Sequence, residues 1–298
     1  MELRHLRYFV TVADCQSFNE AAKKLHISQP PLSRQIKQLE EELNIELIDR
    51  TQRPINLTDA GVFFYEHASR IISEADYLKS MTRRMARTQN TISIGFVSSI
   101  LYGTLPKVIS GFRKFYPNIE VKLYELNSWQ QIEALKCGKI DAGFGRMRFE
   151  DPLIDRVVLR EEKLVAAVPI NHKFSREKTT SISLLDLQHE PLLLYPKEPR
   201  PSLIDQILDI FEERKIQLSN SSEVRELQVA LGLVAAGEGL TLVPNTVAHI
   251  RKDEICYIEL DDYHVTSPII ISSRYHEKSE VLKTLLKVAR MNYTKQTP

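Results

Sequence analysis

The sequence predicts a chain in two parts, an all-helical N-terminal segment followed by a larger α/β segment. The first ninety residues contain one glycine, Gly61, of the ten in the chain, and read as helix after helix. Residues 91–298 alternate apolar strands with helical runs, the order of an α/β domain. A length of 298 residues suits about two domains. An apolar share of 43% and a charged share of 27% are ordinary for globular proteins, which excludes disorder and low complexity for most of the chain. Lys and Arg total 40 against 39 Asp and Glu, a net of +1. No general attraction to nucleic acid follows, so any DNA contact must come from a local surface.

In the N-terminal segment, Leu3, Leu6, Phe9, Val10 and Ala13 fall on one helical face. Ser17-Phe18-Asn19-Glu20 has capping-box spacing and starts a second helix. Ser28 caps a third, with Pro30 and Pro31 tolerated in its first turn and Leu32, Ile36, Leu39 and Leu43 inward. Two short helices joined through His26-Ile27 have the helix-turn-helix layout. There the second helix enters the major groove by its N-terminal half, which here offers Gln29, Pro31, Ser33, Arg34 and Lys37. Arg reads guanine and Gln reads adenine through paired hydrogen bonds, while Ser28 and Ser33 suit phosphates. Any three-helix bundle shows the same pattern, so plain packing is the alternative.

Residues 45–57 read as a short two-stranded wing. Arg50 and Arg53 sit at its tip, within reach of phosphates or a minor groove, or simply solvated. Thr58-Asp59 caps a helix running to about residue 88, about 45 Å long. Phe64, Ala68, Ile71, Ala75, Leu78, Thr82 and Met85 follow alternating spacings of four and three. That heptad seam predicts a paired helix and hence a homodimer.

In the second segment, residues 91–97, 119–126 and 140–145 read as strands. They are separated by one helix over 98–117 and another capped by Ser128. This order predicts a parallel sheet with right-handed crossovers. Further strands are expected at 164–170, 190–196, 240–244 and 267–274, and helices at 202–215, 224–239 and 281–293. Ligands of open α/β sheets bind at the carboxyl ends of strands. Three such places stand out: Ser98-Ser99, Asn127-Ser128 and Pro201-Ser202-Leu203. Helix N-termini with hydroxyls favour carboxylates, so these points suggest a cleft for a small organic anion. Plain capping accounts for each serine taken singly.

Other classes find little support. No GxGxxG, GxxxxGK[ST], GxSxG or HExxH pattern occurs, so neither an enzyme nor a bound cofactor or metal is expected. The three cysteines form no CxxC pair and suit a reducing cytoplasm. The start, MELRHLRYFV, has early charges rather than a signal-peptide core, and no membrane span is expected.

Residues 6–61 resemble the N-terminal domain of LysR-type transcriptional regulators. The most specific stretches are SQPPLSRQIKQLE (28–40) and LTDAG (57–61). The resemblance implies a winged helix-turn-helix over 1–58, a linker helix over 59–90 and an effector domain over 91–298. That domain would have two lobes like those of periplasmic binding proteins, one over 91–161 and 268–298, the other over 162–267. The chain would cross between them near Glu162 and Thr266. The implied partners are promoter DNA, a small organic acid, further copies of the chain as homodimer and homotetramer, and RNA polymerase. Within the family, the chain resembles regulators of aromatic-compound degradation that respond to cis,cis-muconate or benzoate. MELRHLRYFV (1–10), SILYGTLP (99–106), IEALKCGKIDAGFGR (132–146), LLLYP (192–196) and EVRELQVALGLVAAGEG (223–239) carry this. The resemblance places Ser99, Ser128, Pro201 and Ser202 in a diacid site. It places Arg146, Arg160, Glu162 and Tyr293 at a second, more apolar site. Leu203 stands where an aromatic is usual, Ser128 replaces a threonine, and Trp129 adds bulk near the cleft. These departures leave the acid open, so a regulator of another pathway sensing a different carboxylate is the alternative. Arg146, Arg160, Glu162 and Glu226 suggest a charge network that exchanges partners when an anion binds.

Overall fold

The computed structural model describes the chain except residues 52–53, 86–90, 178, 199, 263–264, 276, 278 and 295–298, and the side chains of 80, 81 and 83–85. It divides into two compact units, Met1–Ala86 and Arg87–Pro298.

The first unit runs α1 (Leu3–Cys15), α2 (Phe18–Lys24), α3 (Gln29–Leu43), β1 (Ile48–Asp49), β2 (Asn56–Leu57) and α4 (Asp59–Met85). Ser17 Oγ accepts from Glu20 N at 3.4 Å and opens α2. His26 turns the chain toward α3 in the left-handed region, at φ 56°. Phe9, Val12, Leu32, Ile36, Leu39, Leu47 and Ile48 are fully buried among these elements. Leu43, expected inward, lies in the last turn of α3 and is exposed. β1 and β2 pair antiparallel as the expected wing. The LTDAG glycine has a steric reason: a Cβ at Gly61 would fall 1.9 Å from Leu47 O. Thr58 Oγ1 accepts from Gly61 N at 3.0 Å and donates to Glu46 O at 2.8 Å, fixing the start of α4 against the wing.

α4 has 27 residues, about 40 Å at the α-helical rise. Its seam is used unevenly. Phe64 packs edge-on against Phe9 at 5.1 Å and Ala68 is buried. Ile71 and Leu78 are 49% and 67% exposed. The first part of the seam therefore completes this unit's own core, and only the later part is left uncovered.

The second unit contains β3 (Thr91–Phe96), α5 (Ser98–Leu101), α6 (Leu105–Phe115), β4 (Glu120–Glu125), α7 (Ser128–Lys136), β5 (Ala142–Gly145) and β6 (Ile154–Pro169). There follow α8 (Lys173–Arg176), β7 (Ser181–Ile182), β8 (Leu192–Leu194), α9 (Leu203–Glu213), β9 (Ser221–Glu223), α10 (Leu227–Ala235), β10 (Thr241–Pro244), β11 (Ile255–Leu260), β12 (Thr266–Arg274) and α11 (Glu280–Thr294). The expected helix over 98–117 is two helices, broken at 102–104 where Gly103 lies against Thr246.

Only part of the sheet is parallel. β3 pairs parallel with β4 and β5, but β12 pairs antiparallel with both β5 and β6. β6 is ten residues longer at its start than the expected strand at 164–170. It pairs with β12 over residues 154–163, then with β10 and β11 over 164–169. One strand thus belongs to two half-sheets, and β12 returns alongside it. β11, which the sequence reading missed, pairs antiparallel with β6 and parallel with β7. Each half has its own apolar core. Ile94, Phe112, Phe144 and Leu285 lie in the first, and Ala166, Ile204, Leu231 and Val247 in the second. Among the described residues no helix is long and apolar enough to cross a membrane.

Candidate functional sites

The N-terminal half of α3 presents Ser28, Pro30, Arg34 and Lys37 to solvent, with Gln29, Pro31 and Ser33 partly exposed. Ser28 occupies the N-cap position, but its hydroxyl makes no cap bond. Lys37 has an exposed contact with Glu41 at 3.6 Å. Arg50 is not free at the wing: its Nη2 donates to Glu40 Oε2 at 2.5 Å. Glu40, on the same helix, is buried. Its Oε1 accepts from Leu47 N at 3.0 Å and Ile48 N at 3.2 Å. It therefore ties α3 to β1. Arg53 lies outside the described residues.

In the second unit, a cavity of about 540 Å³ opens between the two halves. Ser98, Ser99, Asn127, Ser128, Arg146, Pro201, Ser202 and Leu203 all line it, together with Tyr195, Glu226 and Leu227. Asn127, not Ser128, caps α7: its side chain accepts from Gln130 N at 2.9 Å. Ser128 Oγ instead accepts from Arg146 N at 3.1 Å and Met147 N at 3.4 Å. This approach needs Gly145, where a Cβ would fall 2.9 Å from Ser128 Oγ. Gln131 holds α7 in place by donating to Leu126 O at 2.8 Å and Phe144 O at 3.1 Å. Trp129 does not line the cavity; it stacks edge-on against Phe149 at 5.7 Å.

Arg146 is the centre of the cavity base, and its side chain is 5% exposed. Nε donates to Ser99 Oγ at 2.8 Å, Nη1 to Ser267 O at 3.4 Å and Nη2 to Glu162 Oε2 at 2.6 Å. Glu162 Oε1 accepts from Thr246 N at 2.8 Å. A buried charge pair of this kind persists only when its remaining polar atoms are satisfied. Arginine has no acceptor, so Ser99 serves Arg146 as acceptor and keeps its own O–H proton to donate. Ser128 is in the same condition. Two hydroxyl donors on the first half thus face the cavity.

The second half differs. Ser202 Oγ donates to Pro196 O at 3.2 Å, and Asp205 accepts from Ser202 N at 2.6 Å. A carboxylate of the chain therefore already meets part of the α9 N-terminus, and Leu203 and Leu227 supply apolar wall. Arg160, Glu162 and Tyr293 also come together. The Arg160 guanidinium lies 5.8 Å from the Tyr293 ring centre and 3.9 Å from Glu162. Glu226 does not join this network: its side chain is 59% exposed and pairs with adjacent Arg225 at 3.6 Å. Gln206, Thr246 and Ser267 are contributors that the sequence reading missed. Their role depends on chain segments far apart in sequence, which no local pattern signals.

Two family models match the chain. The bacterial regulatory helix-turn-helix protein, lysR family, covers residues 3–62, and the LysR substrate binding domain covers 86–293. The HTH-type transcriptional regulator BenM of Acinetobacter baylyi is 46% identical over 98% of this chain and 96% of its own length. A probable cat1 operon transcriptional activator of Acinetobacter lwoffii is 42% identical, with the same coverage of both chains. The effector binding domain of BenM solved with its effector benzoate superposes with a TM-score of 0.66 at 41% identity, covering 70% of this chain and 95% of that one. With both of its units matched, this chain belongs to the LysR family of bacterial helix-turn-helix regulators.

Proposed function

We propose that this chain is an effector-controlled activator of aromatic-compound catabolic genes. It binds promoter DNA through α3 and the wing, and a small organic acid such as benzoate or cis,cis-muconate in the cavity of the second unit. The observation that carries the acid reading is the pair of hydroxyl donors, Ser99 and Ser128, beside a buried arginine whose charge is already balanced. A carboxylate there gains donors without leaving an unpaired cation. Arg160 and Tyr293 offer a second, more apolar place for an aromatic acid. Gln29, Ser33 and Arg34 meet base edges, Pro31 the sugar wall, and Ser28, Pro30, Lys37 and Arg53 the backbone, while Arg50, bonded to Glu40, braces the wing. The exposed Ile71 and Leu78 support pairing of α4 between two copies, with tetramers spanning two DNA sites and RNA polymerase as the target of activation. The regulator acts in the cytoplasm.

A different small carboxylate is the second reading. Leu203, 8% exposed on the cavity wall, favours it, because a leucine there reshapes the space an aromatic side chain would fill. One experiment addresses both. Operator sequences are selected from random duplexes, then footprinted with benzoate, cis,cis-muconate and unrelated acids. A footprint altered by an aromatic-pathway acid is the expected result. One altered only by another carboxylate favours the second reading. No selected sequence, or no response to any acid, overturns the proposal.

A further inference from the structure

We infer that Gln206 is a positioning residue that holds the two walls of the acid-binding cavity at a fixed separation. Gln206 lies on α9, and its backbone N–H bonds to Ser202 O at 3.4 Å. It therefore stands one turn beyond the residues by which the second half lines the cavity. Its side chain reaches the other half. Nε2 donates to Arg146 O at 3.1 Å, and Oε1 accepts from Ser267 Oγ at 3.1 Å. Arg146 Nη1 in turn donates to Ser267 O at 3.4 Å. Three residues from α9, from the end of β5 and from β12 thus close a ring of hydrogen bonds.

The ring is placed where positioning counts. Arg146 offers its N–H to Ser128, a donor of the first wall, and its carbonyl to Gln206, anchored to the second. One peptide segment therefore sets the distance from Ser128 to the Ser202-Leu203 turn. A primary amide is the side chain that fits, since it gives a donor and an acceptor from one planar group. Met reaches as far with neither, Leu is one atom shorter with neither, and Glu keeps only the acceptor. Walls held in advance spare a ligand the cost of ordering them.

This inference rests on the acid reading above, and the experiment separates the two. The chain's one tryptophan, Trp129, adjoins Ser128 in the first turn of α7 and reports on that wall. Its fluorescence is titrated with benzoate and with cis,cis-muconate in the full-length wild type, Gln206→Met, Ser267→Ala and the double variant. Thermal melts without acid are recorded alongside. Gln206→Met is expected to weaken binding of the recognised acid about ten-fold, the scale of one or two neutral hydrogen bonds. Its melting temperature without acid should stay within about 3 °C of wild type, and its effect with Ser267→Ala should be less than additive. Gln206→Leu, which also keeps neither bond, should weaken binding to a similar extent; it stands in if Gln206→Met does not fold. Wild-type affinity in these variants overturns the inference. So does a loss of affinity matched by a general loss of stability. A wild type that answers neither acid overturns the reading of an aromatic-pathway acid, and this inference with it.

Discussion

Arg34 and Lys37 of α3 and the charged residues at the cavity base are held in opposite ways. Arg34 and Lys37 stand in solvent on one helix. Arg146 and Glu162 are sealed in the interior, and five polar contacts drawn from Ser99, Ser128, Gln206, Thr246 and Ser267 surround the pair. The first arrangement leaves charge free to meet a polyanion. The second engages the charge so completely that the hydroxyls left facing the cavity are neutral donors. Free charge and fully engaged charge differ here in burial, not in residue type.

The largest expected effect breaks the buried side. Glu162→Ala leaves Arg146 buried without its counter-ion and should cost about 3–5 kcal/mol in denaturant unfolding of the second unit. On the exposed side, Arg34→Ala should leave melting unchanged while removing about 1–3 kcal/mol of discrimination between a selected operator and unrelated duplex. An equal loss on both duplexes would assign Arg34 to phosphate contact instead.

The interior also carries a pH signature. Burial raises the hydroxyl pKa of Tyr195, Tyr257 and Tyr293 above the ordinary 10.0, that of Tyr257 to about 12. The folded chain then keeps these protons when the unfolded chain has lost them. Their contribution is fully present below pH 10 and declines as pH rises toward 12. Tyr257→Phe should make stability fall less steeply across that window, as read by melts from pH 9 upward. The smallest effect sharpens the comparison. Glu161 is next to Glu162 in sequence, but its pair with Arg148 is half exposed. Glu161→Ala should cost no more than about 1 kcal/mol.

The same contrast explains what could be read from the sequence. Helical period, capping and the LTDAG ending place α1 to α4 and the wing within a few residues, because those signals are local. The serines at 99, 128 and 202 follow from a general rule about strand ends. The ring joining Gln206, Ser267 and Arg146 does not, since its members are 60 or more positions apart. Glu226 and Trp129 escape local pattern for the same reason: each is near the cavity in sequence, but only tertiary packing sets which way its side chain turns. Glu40 is set apart from its neighbours Glu41 and Glu42 only by Leu47 N and Ile48 N, which the turn after α3 brings to it.

The pair of serine donors, Ser99 and Ser128, is the feature on which acid binding depends most directly in this proposal. The measurement is thermal melting of wild type and of the Ser99→Ala, Ser128→Ala double variant, each with saturating benzoate and cis,cis-muconate. An acid at 100 times its dissociation constant adds about 2.7 kcal/mol if it binds only the folded chain. The account predicts a clear upward shift of the wild type with at least one of these acids, largely lost in the double variant. A shift of equal size in both proteins would place the acid elsewhere and contradict it.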